Sequence, residues 1–238
     1  MDLCGPLNVQ SRNGKKYILV IVDDYSRYTW TRFLKSKGET AEELVVFFKM
    51  IQSNLNQVIC SSRSDHGTEF ENLKLDKFCM ENCTSHNFSS PRTPQKNGVV
   101  ERKNRTLVNI ARTMIIESNL PQSFWAEVVN TLCHITNKCL IRAILNKTPY
   151  ELLNNRKPML SYLRAFGCRC FVLNNGKDDP GKFDPRSDEG VFVGYSSSNK
   201  AYRIFNKRTQ CIEESIHVVF DEDGSIVHHI LLIISSLL

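Results

Sequence analysis

The chain has 238 residues, of which 41% are hydrophobic and 24% charged, as in a soluble globular protein with one sizeable domain and a smaller one. Its apolar C-terminal run, residues 226–238, is shorter than the roughly 20 residues that a membrane helix needs, so we expect no membrane partner. The formal net charge of +6 fits a polyanionic partner, although many basic proteins bind no nucleic acid.

The nine cysteines are odd in number, form no Cys-x-x-Cys unit and follow no secretory signal. This pattern argues against a disulfide framework. We therefore predict reduced, mostly buried thiols in an intracellular protein.

The first half of the chain predicts alternating strands and helices. The run at 16–24 (KYILVIVDD) is β-branched and apolar, which is typical of a buried central strand. Thr40 and Glu43 have the spacing of a capping box, and apolar residues recur after them at helical intervals. The predicted strands are 2–4, 16–24, 28–34, 58–63 and 85–89, and the predicted helices begin at Thr40 and span 73–81 and 99–118. This order indicates an α/β fold, with a mixed sheet and helices on both faces.

The second half predicts helices followed by a small β unit. A helix at 124–138 and a short one from Thr148 precede β runs at 168–173, 189–195, 201–206 and 210–217. Such short strands indicate a small β-barrel or sandwich. We divide the chain into a core at 1–120, a helical extension at 121–160, a small β domain at 161–221 and a tail at 222–238.

Three acidic residues lie where such a sheet would bring their side chains together. Asp2 is on the first strand, Asp65 ends a later strand, and Glu101 lies in the first turns of a helix. Phosphoryl transfer by two divalent ions needs carboxylates that converge on one point and hold metals about 4 Å apart. Each residue also has an ordinary alternative role: Asp65 in a turn, Glu101 as a complement to the helix dipole, Asp2 in a disordered terminus.

The sequences around these acids carry a family resemblance. Residues 63–70 (RSDHGTEF) closely resemble the second-aspartate motif of retroviral-type integrases, and residues 94–105 (PQKNGVVERKNR) resemble their third motif. Thirty-five residues separate Asp65 from Glu101, as in the Asp, Asp, thirty-five, Glu signature of that family. Similarity to copia-type retrotransposon integrases extends to about Asp221 and is carried by residues 2–6 (DLCGP), 124–127 (FWAE), 163–168 (LRAFGC) and 190–195 (GVFVGY).

The resemblance implies an RNase H-like fold, with a mixed five-stranded sheet flanked by helices and a later SH3-like β unit. It implies Asp2, Asp65 and Glu101 as a catalytic triad that binds two Mg²⁺ or Mn²⁺ ions, without a small-molecule cofactor. The reaction would be 3′-end processing and strand transfer in the nucleus, by a homo-oligomer that binds element ends and target DNA. Because the family has its first catalytic residue on the first strand, we choose Asp2 over the adjacent Asp23 and Asp24.

Basic residues surround Glu101 in the sequence. Arg105 lies one helical turn after Glu101 and shares its face, so cations there would attract phosphates. The alternative is a solvated helix face with an internal Glu–Arg pair. The apolar residues expected on the opposite, core-facing side are Val100, Leu107, Ile110 and Met114. The residues predicted to contact DNA are Arg92, Lys96, Asn97, Arg102, Lys103 and Arg105.

Two departures from the family pattern leave other functions open. His66 stands where the motif usually has Asn, and Asp2 directly follows Met1 without the His/Cys zinc-binding domain that usually precedes the core. We expect a polyprotein fragment. The alternatives are a catalytically inactive nucleic-acid-binding remnant, or an RNase H-like nuclease that cuts DNA without joining it.

Overall fold

The computed structural model describes residues 1–88, 98–174, 183 and 185–221. The chain divides into two compact units, Met1–Thr106 and Leu107–Leu238. The division into segments that the sequence predicts, with a first boundary near residue 120, stays a prediction. No helix in the described part of the chain is long and apolar enough to cross a membrane.

The first unit alternates strands and helices in the predicted order. Its elements are β1 (Asp2–Cys4), β2 (Tyr17–Val22), β3 (Thr29–Leu34), a 3-10 turn (Lys37–Glu39), α1 (Thr40–Leu55), β4 (Ser61–Ser64), α2 (Leu73–Glu81), β5 (Ser85–Phe88) and the start of α3 (Gly98–Glu117). Residues 18–21 of β2 are all buried, as expected for a central strand covered on both faces. The core includes Leu19, Leu44, Phe47, Phe70 and Leu75.

Hydrogen bonds group these strands into two sheets. β1, β2 and β3 are antiparallel, with Asp2 opposite Val20, whereas β4 and β5 are parallel. The amino group of Met1 donates to the carbonyl of Arg63 at 2.6 Å. This contact sets the start of β1 beside the end of β4, so the five predicted strands occur as a group of three and a group of two that meet there.

The start of α1 differs from the prediction. The capping box at Thr40 and Glu43 is wrong, because the 3-10 turn extends the helix backwards and Glu39 occupies the N-cap without a side-chain cap bond. The carboxylate of Glu43 instead lies 3.3 Å from Nε of Arg32 on β3. A long-range ion pair thus replaces the local cap.

The second unit contains the rest of α3, further helices and an antiparallel sheet. Its elements are a 3-10 turn (Gln122–Phe124), α4 (Trp125–Cys139), α5 (Pro149–Asn154), β6 (Arg169–Leu173), β7 (Ser187–Tyr195), β8 (Tyr202–Asn206), β9 (Ile212–Ser215) and β10 (Val218–Asp221). The sheet order is β10-β6-β7-β8-β9. α5 begins with a capping box, in which Thr148 and Glu151 each bond the other's backbone.

The strand predicted at 210–217 is the shorter β9, and β10 is a further strand that was not predicted. β9 ends at Ser215, whose hydroxyl accepts from the backbone N–H of His217 at 3.1 Å and forms a turn. β10 then pairs with β6 at the opposite edge of the sheet. Within this unit, the hydroxyl of Thr131 on α4 donates to the carbonyl of Val193 on β7 at 3.1 Å, which fastens the helix to the sheet.

All nine cysteines lie in the described residues, and none of them forms a disulfide. Four of them are buried, fewer than predicted: Cys79, Cys133, Cys168 and Cys170.

Candidate active site

Two of the three predicted carboxylates come together in the first unit. Asp2 begins β1, and Asp65 directly follows β4. The amino group of Met1 donates to the carbonyl of Arg63. Asp2 follows Met1 directly and Asp65 lies two residues after Arg63, so this hydrogen bond brings the two aspartates close together. The side chains are close enough for the charge of Asp2 to act on Asp65.

The pKa of the Asp65 carboxyl group is raised above its usual value. Burial is the largest cause, and the negative charges of Asp2 and Glu69 raise the pKa further. The backbone N–H of Gly67, which donates to Asp65 at 3.3 Å, acts in the opposite direction. Two mutually repelling carboxylates have the chemistry of a site for a hard divalent cation, because a cation between them would remove the repulsion.

Glu101 lies in the first turn of α3 and is exposed. Three residues later, Asn104 is only 7% exposed and donates through Nδ2 to Oδ2 of Asp2. Residues three apart are neighbours on a helix, so Glu101 is about one turn from the residue that contacts Asp2. Within the described residues, however, no three His, Cys, Asp or Glu side chains form a group that could hold a metal ion. The structure therefore brings Asp2 and Asp65 together and does not group Glu101 with them.

Asn104 is a site residue that the sequence analysis missed. It belongs to the third motif, but we assigned it no role. Its position three residues after Glu101, on the same helix face, was the available signal.

Asp23 and Asp24, the alternative first carboxylates, both serve the turn after β2. Asp23 accepts from the backbone N–H and the hydroxyl of Ser26 at 2.7 and 2.6 Å. Asp24 forms an exposed ion pair with Arg27 at 2.8 Å.

The loop after Asp65 has partners of its own. His66, the departure from the motif, lies 3.3 Å from a carboxylate oxygen of Glu71 and stacks on Phe88 with ring centroids 5.0 Å apart. The side chain of Glu69 is 8% exposed and lies 3.7 Å from the amino group of Lys37. These contacts hold the loop on both sides of Gly67.

The predicted DNA-contacting residues fall into two groups. Arg92, Lys96 and Asn97 lie outside the described residues. On α3, Arg102 and Arg105 are exposed and Lys103 is half-buried. On the opposite side of the helix, the four residues predicted to face a core are buried, namely Val100, Leu107, Ile110 and Met114.

Family models match both units. Residues 1–94 match the model described as "Integrase core domain". This chain carries an integrase core domain. Residues 168–228 match the "Retroviral polymerase SH3-like domain", so the integrase core is followed by an SH3-like unit, and the resemblance found in the motifs is confirmed.

The curated relatives are plant transposon polyproteins. The chain is 33% identical over 221 residues, 93% of its length, to the "Retrovirus-related Pol polyprotein from transposon TNT 1-94" of Nicotiana tabacum. It is 29% identical over 215 residues to that from transposon RE1 of Arabidopsis thaliana. The chain spans only 17% and 14% of the lengths of these two relatives.

One solved structure of low sequence identity has a similar fold. A simian T-cell lymphotropic virus intasome, in complex with PP2A regulatory subunit B56 gamma, matches with a TM-score of 0.51 at 15% identity, over 94% of this chain and 79% of that one. The HTLV-2 integrase catalytic core domain in complex with magnesium matches with a TM-score of 0.47 at 20% identity, over 64% of this chain and 95% of that one. The intasome likeness is one of fold alone, and the predicted fold class, α/β followed by a small β unit, is confirmed.

Proposed function

We propose that this chain performs metal-dependent 3′-end processing and strand transfer of DNA as the catalytic part of a retrotransposon integrase. The observation that carries the proposal is the approach of Asp2 and Asp65 within an integrase core domain. Burial and the charge of Asp2 raise the pKa of Asp65, and no cationic side chain forms an ion pair with either carboxylate among the described residues, which supports a cation site there.

In this proposal, Asp2, Asp65 and Glu101 would hold two Mg²⁺ or Mn²⁺ ions. When bound, such ions would activate the attacking water or 3′-hydroxyl and stabilise the departing oxygen. Asn104 donates to Oδ2 of Asp2 and so fixes the orientation of that carboxylate, leaving Oδ1 for a ligand. The backbone N–H of Gly67 has the same effect on Asp65.

The DNA would be held through its phosphates near the start of α3. We propose that Arg102, Lys103 and Arg105, with Arg92, Lys96 and Asn97, supply these contacts. Phosphate contacts carry no sequence information, so weak sequence preference is expected.

The active form would be a homo-oligomer acting on element ends and target DNA in the nucleus. The HTLV-2 integrase core is described in trimeric and dimeric forms, and the simian virus protein in an intasome, which supports a multimer here. We propose segments 1–120 for the chemistry, 121–160 as a helical extension, 161–221 as the SH3-like unit and 222–238 as a tail.

A second candidate is a catalytically inactive remnant that binds nucleic acid. The observation that favours it is the lack of a three-ligand metal group in the described part of the chain. An RNase H-like nuclease without joining activity is the third outcome that the test has to separate.

The test is a strand-transfer assay with Mn²⁺ and an end-labelled DNA duplex. Joined product that is lost in Glu101→Gln and in Asp65→Asn supports the integrase. DNA binding without chemistry would support the remnant, and cleavage without joining the nuclease. Calorimetry with Mg²⁺ gives an independent readout: we expect Asp2→Asn to weaken binding, and equal binding would remove Asp2 from the ligand set.

A further inference from the structure

The region between α4 and the SH3-like sheet is strongly basic. Residues 138–164 contain the single acid Glu151. They contain six basic residues, namely Lys138, Arg142, Lys147, Arg156, Lys157 and Arg164. The carboxylate of Glu151 is occupied by the capping box, where it accepts from the backbone N–H of Thr148 at 2.8 Å and from its hydroxyl at 3.0 Å.

Four of these cations gather around two neighbouring residues. The ring of Tyr150 has Nζ of Lys138 at 5.4 Å and Cζ of Arg156 at 5.8 Å from its centroid. Nε of Arg156 also donates to the Tyr150 hydroxyl at 3.0 Å. Hydrogen bonds with Thr148, and then the charges of Lys157 and Lys147, hold the pKa of Glu151 below its usual value, so these two lysines lie near the start of α5. We call Lys138, Lys147, Tyr150, Arg156 and Lys157 the Tyr150 surface.

The cations of this surface form no ion pairs among the described residues, because Glu151, whose charge interacts with those of Lys147 and Lys157, is held by the capping box. Burial and then the charge of Arg156 lower the pKa of Lys138, as expected where like charges are held together. Lys147, Arg156 and Lys157 are exposed. None of the four forms an ion pair with a described carboxylate.

The cations of the SH3-like sheet are arranged differently. Arg203 is paired with Glu127 at 2.8 Å and with Glu214 at 2.9 Å. Three more are also paired: Arg169 with Glu189 at 3.1 Å, Lys207 with Glu189 at 2.5 Å and Arg208 with Asp188 at 2.8 Å. The second unit therefore pairs these four cations of its sheet internally, whereas Lys147, Arg156 and Lys157 of the Tyr150 surface are exposed and form no ion pair.

We propose that the Tyr150 surface binds the phosphate backbone of double-stranded DNA. Exposed cations that form no ion pair have no carboxylate to release when they contact a phosphate, and each phosphate contact releases condensed counterions from DNA. Arginine adds a bidentate geometry that matches phosphate. This inference rests on the proposed function in taking DNA as the partner, and it adds a binding surface that the carboxylate chemistry does not require.

An anionic lipid surface is the competing partner. Ile144 and Met159, which flank the basic residues in sequence, are 85% and 71% exposed. DNA is favoured because the cations lie at the end of α4, in a turn and after α5, and not along one face of an amphipathic helix of the kind that lies on membranes.

The experiment compares two triple variants of the full chain that lose the same charge. Lys147→Gln/Arg156→Gln/Lys157→Gln removes exposed cations of the Tyr150 surface, whereas Arg169→Gln/Lys207→Gln/Arg208→Gln removes paired cations of the sheet. Binding of a fluorescent duplex is followed by anisotropy in EDTA, as salt rises from about 50 to about 200 mM. Circular dichroism confirms that both variants are folded.

We expect the Tyr150-surface variant to lower the slope of log K against log salt by about 2.7, since each lost phosphate contact removes about 0.9. When the salt concentration rises fourfold, the affinity of the parent protein should therefore fall by a factor roughly 40 times larger than the affinity of the variant does. The sheet variant should lower the slope by less than about 1. Equal slopes in both variants would overturn the proposal.

A second arm uses phosphatidylserine vesicles. Loss of vesicle binding in the Tyr150-surface variant, with DNA binding unchanged, would assign the surface to lipid and overturn the proposal. The anisotropy assay in EDTA is repeated on Asp65→Asn. This variant should lose strand transfer and still bind the DNA backbone, so a failure of the chemistry can be distinguished from a failure of DNA binding. If the parent chain bound no DNA at all, both proposals would fall.

Discussion

The hydrogen bond from Asn104 to Asp2 is the contact through which α3 reaches the carboxylates, and its removal has a calculable effect. A hydrogen bond to a charged group contributes about 1.5–3 kcal/mol, and we take the lower end because Asp2 is only half-buried and water can replace the donor. Asn104→Ala also gains about 0.6 kcal/mol in helix propensity. The net loss in the free energy of unfolding is therefore about 1 kcal/mol.

Asn109→Ala is the matched control, because Asn109 is exposed on the same helix and its substitution changes propensity alone. The two variants should differ by about 1.5 kcal/mol, since the propensity gain cancels. Urea unfolding is followed by the fluorescence of Trp30 in a Trp125→Phe background, because Trp30 then reports on the first unit. Equal urea midpoints for both variants would refute the assigned contact.

The same pair of variants tests whether Asn104 supports metal binding. Partners that orient a metal ligand typically contribute 10-fold or more to affinity, so Asn104→Ala should bind Mn²⁺ about 10-fold more weakly than Asn109→Ala. Calorimetry measures this directly. Unchanged affinity in a variant that has lost stability would leave Asn104 with a structural role only.

Three further substitutions have defined outcomes. Asp65→Asn should raise the free energy of unfolding at neutral pH by less than about 1 kcal/mol, because the pKa of Asp65 in the folded protein lies above its usual 3.8 and its ionisation opposes folding. In urea titrations the gain should appear as the pH rises above 3.8 and be absent at lower pH. Arg203→Met should lower the free energy of unfolding of the second unit by about 3 kcal/mol, measured by thermal unfolding, because the carboxylate of Glu127, 12% exposed, loses its partner. Adding Glu127→Leu should restore stability fully, and a loss under about 1 kcal/mol in Arg203→Met would contradict the assigned ion pair. Gly167→Ala should lower the melting temperature by several degrees, since the residue has φ +84° and a Cβ there would lie 2.4 Å from Cβ of Ser118; an unchanged melting temperature would show that the turn can rearrange.

Local patterns predicted local structure well. α2 has the predicted bounds, Leu73–Glu81, and α3 begins and ends within one residue of the prediction. The buried side of α3 also follows from the spacing of its apolar residues. Helical periodicity depends on neighbours within a few positions, so the sequence contains the necessary information.

The errors occur where distant residues compete with local ones. Glu43 has capping-box spacing from Thr40, but its carboxylate pairs with Arg32 on β3 instead. The strand predicted at 210–217 ends at Ser215, where the chain turns, and β10 was missed because its partner, β6, is far away in the sequence. In each case a tertiary contact replaced the local preference.

The sequence by itself determined the chemistry that is available: acids and amides at the spacing of an integrase motif, and a basic segment after α4. Only the tertiary structure decided which of these groups meet. Asn104 and Asp2 are 102 residues apart, and their contact exists because α3 lies against β1. The same holds for the cations, because a charge count cannot tell Arg203, held between two carboxylates, from Arg156, which has no such partner among the described residues. Electrostatic interactions depend on distances between groups in the folded protein, and the spacing of residues along the chain does not determine those distances.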